Sequence, residues 1–207
     1  MRAVMVANPK GGAGKTTLAT NLAGYFANRN KEVCLCDLDR QQSTLRWLAF
    51  RDPELPAITG YFGGNQMSVS MPRDPEWVVL DAPAGFQGYK LNDFLRAVDR
   101  VIIPIVPSIF DMAATEDFLT VLRQDLGGRS MAKIGIAAMR IDPRTRAANM
   151  LEEFLSHFDI PILAYLRNTQ NYVNAAAAGQ TIFDPPRGRN KRDMEQWQRL
   201  LEWIEKK

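Results

Sequence analysis

The 207-residue sequence predicts one α/β domain over residues 1–207, a doubly wound, mostly parallel sheet flanked by helices. Short apolar runs alternate with longer amphipathic stretches, which is the order of repeated β-α units. Most of the apolar runs are continuous, as strands covered on both faces require. A glycine-rich segment, Lys10-Gly11-Gly12-Ala13-Gly14-Lys15-Thr16-Thr17, falls between the first run and the first amphipathic stretch.

The runs at 3–7, 33–36, 77–80, 101–106, 134–138 and 162–166 read as strands. Helical spacing covers about 15–29, 41–50, 87–98, 112–126, 146–157 and 170–178. Residues 53–75 are rich in proline and glycine and carry little periodicity, so they read as loop with room for one short strand. A last amphipathic stretch, 194–207, repeats Met194, Trp197, Leu200, Leu201 and Ile204 at helical spacing.

Composition narrows the classes. Hydrophobic residues are 46% and charged residues 24%, which suits a globular chain with a substantial core. The net charge of +3 is too small for a general polycation, so any attraction to nucleic acid must come from a local patch. No apolar run approaches the roughly 18 to 20 residues of a membrane span. Residues 1–8 run straight into the glycine-rich loop and read as a first strand, not a signal peptide, which predicts a cytoplasmic protein. Cys34 and Cys36 alternate with Val33 and Leu35 along one strand. That spacing suits neither a disulfide nor a metal site, and predicts buried thiols in a reducing compartment.

The glycine-rich segment is a phosphate-binding loop. Glycines let the backbone turn its N–H groups inward around phosphates, and the following helix adds its positive end. Lys15 would contact the β and γ phosphates of ATP. The Thr16 hydroxyl would ligate Mg²⁺, and Thr17 would reach the α phosphate. Trp77-Val78-Val79-Leu80-Asp81 is an apolar strand ending in an acid, and Asp81 would hold the Mg²⁺ shell, through water. Asp37 and Asp39 stand at the end of the second strand, where ligands of such sheets collect.

With Lys10 at its start, the loop reads K-G-G-x-G-K-T-T and resembles the deviant Walker A box of the ParA/MinD ATPases. The resemblance implies a homodimer closed by ATP, in which Lys10 reaches the nucleotide of the other subunit. Asp37-Leu38-Asp39-Arg40-Gln41 resembles the family's D-x-D-P-Q, with Arg40 in place of proline. It implies that Asp39 positions the attacking water and takes part near the metal, with Asp37 beside it. Asp81-Ala82-Pro83-Ala84-Gly85 resembles D-x-P-x-G, where Gly85 senses the γ phosphate. Pro104-Ile105-Val106-Pro107-Ser108 looks like the strand exit P-x-x-P-[ST], which places Pro107 beside the nucleotide. Asp142-Pro143-Arg144-Thr145 resembles D-x-R-T and places Asp142 there too. Met139 and Arg140 fall where the family contacts adenine. Arg167-Asn168, Ala178-Gly179 and Asp184-Pro185 echo its last β-α segment, so the resemblance misses mainly 53–75.

By the same resemblance, the dimer would bind DNA without sequence preference and occupy the nucleoid. A ParB-like or cargo-adaptor protein would stimulate hydrolysis, and the cargo would be a plasmid, a chromosome or a compartment such as a carboxysome. Arg187, Arg189, Lys191 and Arg192 form an acid-free basic cluster, either a DNA backbone patch or a solvated charge run. Arg167 is a further candidate for DNA. The alternative is a MinD-like membrane-associated ATPase. Glu195, Glu202 and Glu205 on the polar face of the tail would repel anionic lipid, so a tail packed on the domain is expected and a membrane partner is not. A cluster-bridging electron donor is disfavoured by the placement of Cys34 and Cys36, and a metabolic ligase by Lys10. His157, the one histidine, has no partner in sequence and reads as structural or surface.

Overall fold

The computed structural model describes residues 1–64, 74–85, 89–131 and 133–206. Its strands are β1 (Arg2–Val6), β2 (Val33–Asp37), β3 (Thr59–Phe62), β4 (Trp77–Asp81), β5 (Arg100–Ile105), β6 (Ile134–Met139) and β7 (Ile162–Leu166). They form one parallel sheet in the order β3-β2-β4-β1-β5-β6-β7. The helices are α1 (Lys15–Ala27), α2 (Ser43–Leu48), α3 (Tyr89–Ala97), α4 (Ile109–Met131), α5 (Arg146–Ser156), α6 (Gln170–Ala177), α7 (Lys191–Glu195) and α8 (Gln198–Glu205), with a 3₁₀ turn over Arg187–Asn190.

Strand pleating divides the core in two. Ala3, Met5, Cys34, Cys36, Val78 and Leu80 face helices α3, α4 and α5. Val4, Val6, Val33, Leu35 and Val79 face α1, Trp47 of α2 and the apolar side of α8. Both thiols are buried and free, and burial pushes Cys34 up to about 11 and Cys36 up to about 12. Neither is exposed enough to bridge a cluster between subunits.

Three elements depart from the sequence pattern. β3 is a parallel edge strand in the stretch 53–75; its side chains are mostly exposed, so it leaves no apolar signature. Residues 65–73 of that stretch lie outside the described part, as do 87–88 of the predicted third helix. Helix α4 starts before 112 because the Ser108 hydroxyl accepts the Asp111 N–H at 3.1 Å and caps the first turn. Its first residues, Ile109 and Phe110, are exposed, which hides the amphipathic pattern there.

The tail is two helices rather than one. Between them the buried Trp197 indole donates to the Tyr172 hydroxyl at 2.8 Å. Trp197, Leu200 and Ile204 are fully buried, so the apolar face of the tail is packed on the sheet. Arg2 fixes its end. The guanidinium donates to the carbonyls of Ile204 at 2.6 Å, Glu205 at 2.8 Å and Lys206 at 2.8 Å, satisfying acceptors that a helix C-terminus leaves open. Among the described residues no helix is long and apolar enough to cross a membrane.

Arg2→Ala is expected to cost about 2 kcal/mol, the weight of charge-assisted hydrogen bonds to otherwise open carbonyls. Amide exchange in 202–206 should accelerate while nucleotide affinity stays unchanged. Unaltered exchange there would show that the apolar face alone holds the tail.

Candidate functional site

Parallel strands in register deliver their carboxyl ends to one edge of the sheet. Val6 of β1 and Asp37 of β2 both pair with Asp81 of β4, so the first three motifs meet at that edge. The chain leaves β1 through the glycine-rich loop. Gly12 and Gly14 hold φ values of 79° and 97°, a left-handed backbone that glycine adopts without strain. A Cβ on Gly14 would also stand 2.8 Å from Met139 Cε, so this position closes the loop against β6. Among the described residues nothing beyond the chain neighbours lies within 4 Å of a Cβ built on Gly11 or Gly12, which leaves an open cradle beside the loop. Ala13 is buried beneath it.

Two braces hold the loop. Asn8, buried, donates to Pro104 O at 2.6 Å and accepts the Lys10 N–H at 2.7 Å. Gly85, with φ 72°, donates its N–H to Pro9 O at 2.9 Å and ties the loop after β4 to the phosphate loop.

Lys15 opens α1 with its side chain buried and its ammonium on Lys10 O at 2.9 Å. Desolvation lowers its pKa, opposed by the charges of Asp81 and Asp39. The Thr16 hydroxyl donates to Asp81 Oδ2 at 2.9 Å, whereas Asp81 Oδ1 is buried with no partner among the described residues. Desolvation first, with the Asp37 and Asp39 charges, pushes Asp81 up to about 7 against the Thr16 hydrogen bond and Lys15. An orphaned carboxylate oxygen beside a threonine hydroxyl fits Mg²⁺, which takes one or two protein ligands and completes its octahedron with water and phosphate. Among the described residues no group of three or more acids, histidines or cysteines could cage a metal by itself.

The two aspartates after β2 do different things. Asp37 is fully buried; its Oδ1 accepts the Asp39 N–H at 2.9 Å, and its Oδ2 accepts the Thr44 N–H at 3.0 Å and the Thr44 hydroxyl at 2.5 Å. Asp37 therefore organises the 37–44 loop, and its contribution near the metal is its charge, felt at Asp81. Asp39 is half-buried, receives the Gln41 N–H at 2.9 Å, and lies close enough to Lys15 and Asp81 for both to feel its charge.

Lys10 points away from this cluster. Its ammonium lies 3.7 Å from Asp111 Oδ2 and 5.7 Å from the Phe110 ring centre, at the start of α4. Pro107, half-buried, precedes that helix. On the other flank, Gly14, Thr17, Met139, Arg140, Leu166, Arg167 and Tyr172 are among the residues lining a cavity of about 310 Å³ at the ends of β6 and β7.

A family model for the CobQ/CobB/MinD/ParA nucleotide-binding domain matches residues 4–182. The chain belongs to that family. The maintenance of carboxysome distribution protein A of Gloeobacter kilaueensis is 30% identical, covering 99% of this chain and 94% of the relative. The chromosome-partitioning ATPase Soj of Thermus thermophilus is 29% identical over 88% of this chain and 87% of its own. The solved structure of the septum site-determining protein MinD of Pyrococcus horikoshii with Mg-ADP superposes with a TM-score of 0.72 at 16% identity, covering 99% of this chain and 96% of that one.

Several family-matched positions have their own partners here. Asp142 is half-buried and gripped by Arg144 at 2.7 and 3.0 Å, which holds its carboxyl far below the usual carboxylate range. Arg140 is exposed with φ 56°, a conformation that turns the chain at the cavity rim. Arg167, a candidate DNA contact in the sequence, donates its Nε–H to Asp193 at 2.5 Å, with its side chain 32% exposed. Lys191 and Arg192 are exposed; the side chains of Arg187 and Arg189 lie outside the described part. Sequence reasoning missed Asn8, Thr44, Asp111 and Asp193. Only Asn8, next to the loop, carried a positional signal.

The raised Asp81 pKa has a sign that can be tested. Between its ordinary 3.8 and about 7 the folded protein keeps a proton that the unfolded chain releases. Stability of the nucleotide-free protein therefore falls as pH rises through that window. Asp81→Asn is expected to raise the melting temperature above about pH 7, leave it nearly unchanged near pH 4, and abolish the extra stabilisation that Mg²⁺ adds to ATP. A lower melting temperature for the variant at high pH would contradict the desolvated carboxylate.

Proposed function

We propose that this chain is a ParA-like ATPase that dimerises on ATP, binds DNA without sequence preference, and positions or segregates a cargo through partner-stimulated hydrolysis. The observation that carries the reading is the pair of lysines. Lys15 is buried inside its own phosphate loop, whereas Lys10 leaves the same loop in the opposite sense and ends at the surface by Asp111. One cation would serve the subunit's own nucleotide, and the other would serve a neighbour's.

Thr16 and Asp81 would hold Mg²⁺, which supplies charge neutralisation at the β and γ oxygens. The backbone N–H groups of 11–17 and the start of α1 would receive the phosphates. Asp39 would orient the attacking water from the end of β2, held there by the loop that Asp37 and Thr44 fix. Gly85, hydrogen-bonded to the phosphate loop, would report the γ phosphate to the loop after β4. The base would enter the cavity lined by Met139, Arg140 and Tyr172; Pro107 and Asp142, which the resemblance puts beside the nucleotide, are not among its lining residues.

The likeness to a carboxysome-distribution protein and a chromosome-partitioning ATPase supports a positioning role, with a ParB-like or adaptor protein as the stimulating partner. We place DNA contact on Arg187, Arg189, Lys191 and Arg192, and on the nucleoid as track. The packed tail and its acidic outer face favour this over a membrane track.

Light scattering checks the dimer. Asp39→Ala should bind ATP, hydrolyse it poorly and run as a dimer. Adding Lys10→Ala should keep ATP binding but return the protein to monomer, because each γ phosphate loses its partner's cation. A dimer that survives the loss of Lys10 would place the chain outside this mechanism. DNA retention by the ATP dimer should fall with salt at a log–log slope of about −0.9 per phosphate contacted, and Lys191→Ala with Arg192→Ala should make the slope shallower. Equal retention in ATP and ADP would remove DNA from the cycle.

A further inference from the structure

Asp193, in the first turn of α7, belongs to none of the motifs, yet it is wholly buried. Its Oδ1 accepts Arg167 Nε at 2.5 Å, and its Oδ2 accepts Asn171 Nδ2 at 2.6 Å. The same junction adds two further contacts. Gln196 Oε1 accepts the Arg167 N–H at 3.1 Å, and the Trp197 indole donates to Tyr172 at 2.8 Å. Four hydrogen bonds thus fasten residues 167–172 to residues 193–197. Arg167 and Tyr172 are walls of the cavity that adjoins Gly14 and Thr17 of the phosphate loop.

We infer that Asp193 is a positioning residue for the nucleoside, holding the β7–α6 wall of that cavity through Arg167 and Asn171. The inference rests on reading the cavity as the base site. The other supports of the wall are modest: α6 has no fully buried residue, its Tyr172 packs half-buried against the core, and its cap is the Thr169 hydroxyl accepting the Asn171 N–H at 3.3 Å. Without the carboxylate, Arg167, already 32% exposed, can turn to water and release the wall without leaving a charge stranded in the core. Asp193 also directly follows Lys191 and Arg192, so the wall and the basic segment share one anchor.

Calorimetric titration of the full chain with ADP and with inorganic pyrophosphate separates nucleoside from phosphate binding. Asp193→Asn is expected to weaken ADP about tenfold, the weight of one charge-assisted hydrogen bond, while pyrophosphate affinity stays within about twofold. Gln196→Ala, which removes the contact to the Arg167 backbone and no charge, should weaken ADP about threefold with the same selectivity, and it decides the matter if Asp193→Asn does not fold. ADP affinity unchanged in the variant that folds, or ADP and pyrophosphate weakened alike, would overturn the positioning role. If the unaltered chain binds ADP no more tightly than pyrophosphate, the base-site reading itself falls, and the inference with it.

Discussion

A buried carboxylate oxygen without a hydrogen-bond partner among the described residues, Asp81 Oδ1, is the constraint around which the site is arranged. Leaving such an acceptor unmet costs about 1–3 kcal/mol, more when it is charged. Registered parallel strands bring Asp37 to the same level, and Asp39 follows two residues later. Asp81 and Asp39 therefore face one buried ammonium, that of Lys15, and desolvation disfavours the charged forms of both Lys15 and Asp81. Asp37 escapes the deficit by accepting three hydrogen bonds from its own loop. Asp81 has only the Thr16 hydroxyl. A divalent cation with its water shell would meet the remaining oxygen, which would favour the metal-bound nucleotide.

The second lysine has a different energetic setting. Lys10 and Asp111 are 3.7 Å apart, and the Lys10 side chain is 36% exposed. Such partly exposed pairs are worth about 0–1 kcal/mol, so the contact is too weak to keep Lys10 from a stronger anion. The backbone of Lys10 is nevertheless fixed, its N–H on Asn8 and its carbonyl on Lys15. A rigid base under a movable ammonium is what reaching across an interface requires. Ile109 and Phe110 stand exposed next to it, on the same side of the molecule.

The parallel sheet was legible because covered strands cannot avoid continuous apolar runs, and the phosphate loop because its glycines and Lys15 stand at fixed offsets. Strand β3 was legible only as room for one short strand within 53–75, since an exposed edge strand has no apolar face to fix its bounds. The break in the tail was hidden for the opposite reason: Trp197 keeps the helical spacing while its indole is tied to Tyr172. Side-chain partnerships between distant segments left the least trace. Asp37 and Asp39 look alike in sequence, but Thr44 engages one and leaves the other half-exposed. Arg167 resembles a surface cation until Asp193, 26 residues on, is folded against it.

Phosphate release from a mixture of Lys10→Ala and Lys15→Ala proteins tests the two-subunit site most directly. Each protein alone should be nearly inactive, one unable to complete its neighbour's site and the other unable to hold ATP. In a mixed dimer the Lys10→Ala subunit binds ATP and receives Lys10 from the Lys15→Ala subunit. Activity that appears only on mixing is the expected result. A mixture as silent as its components, under conditions where the unaltered protein turns over, would contradict a site completed by the partner's Lys10.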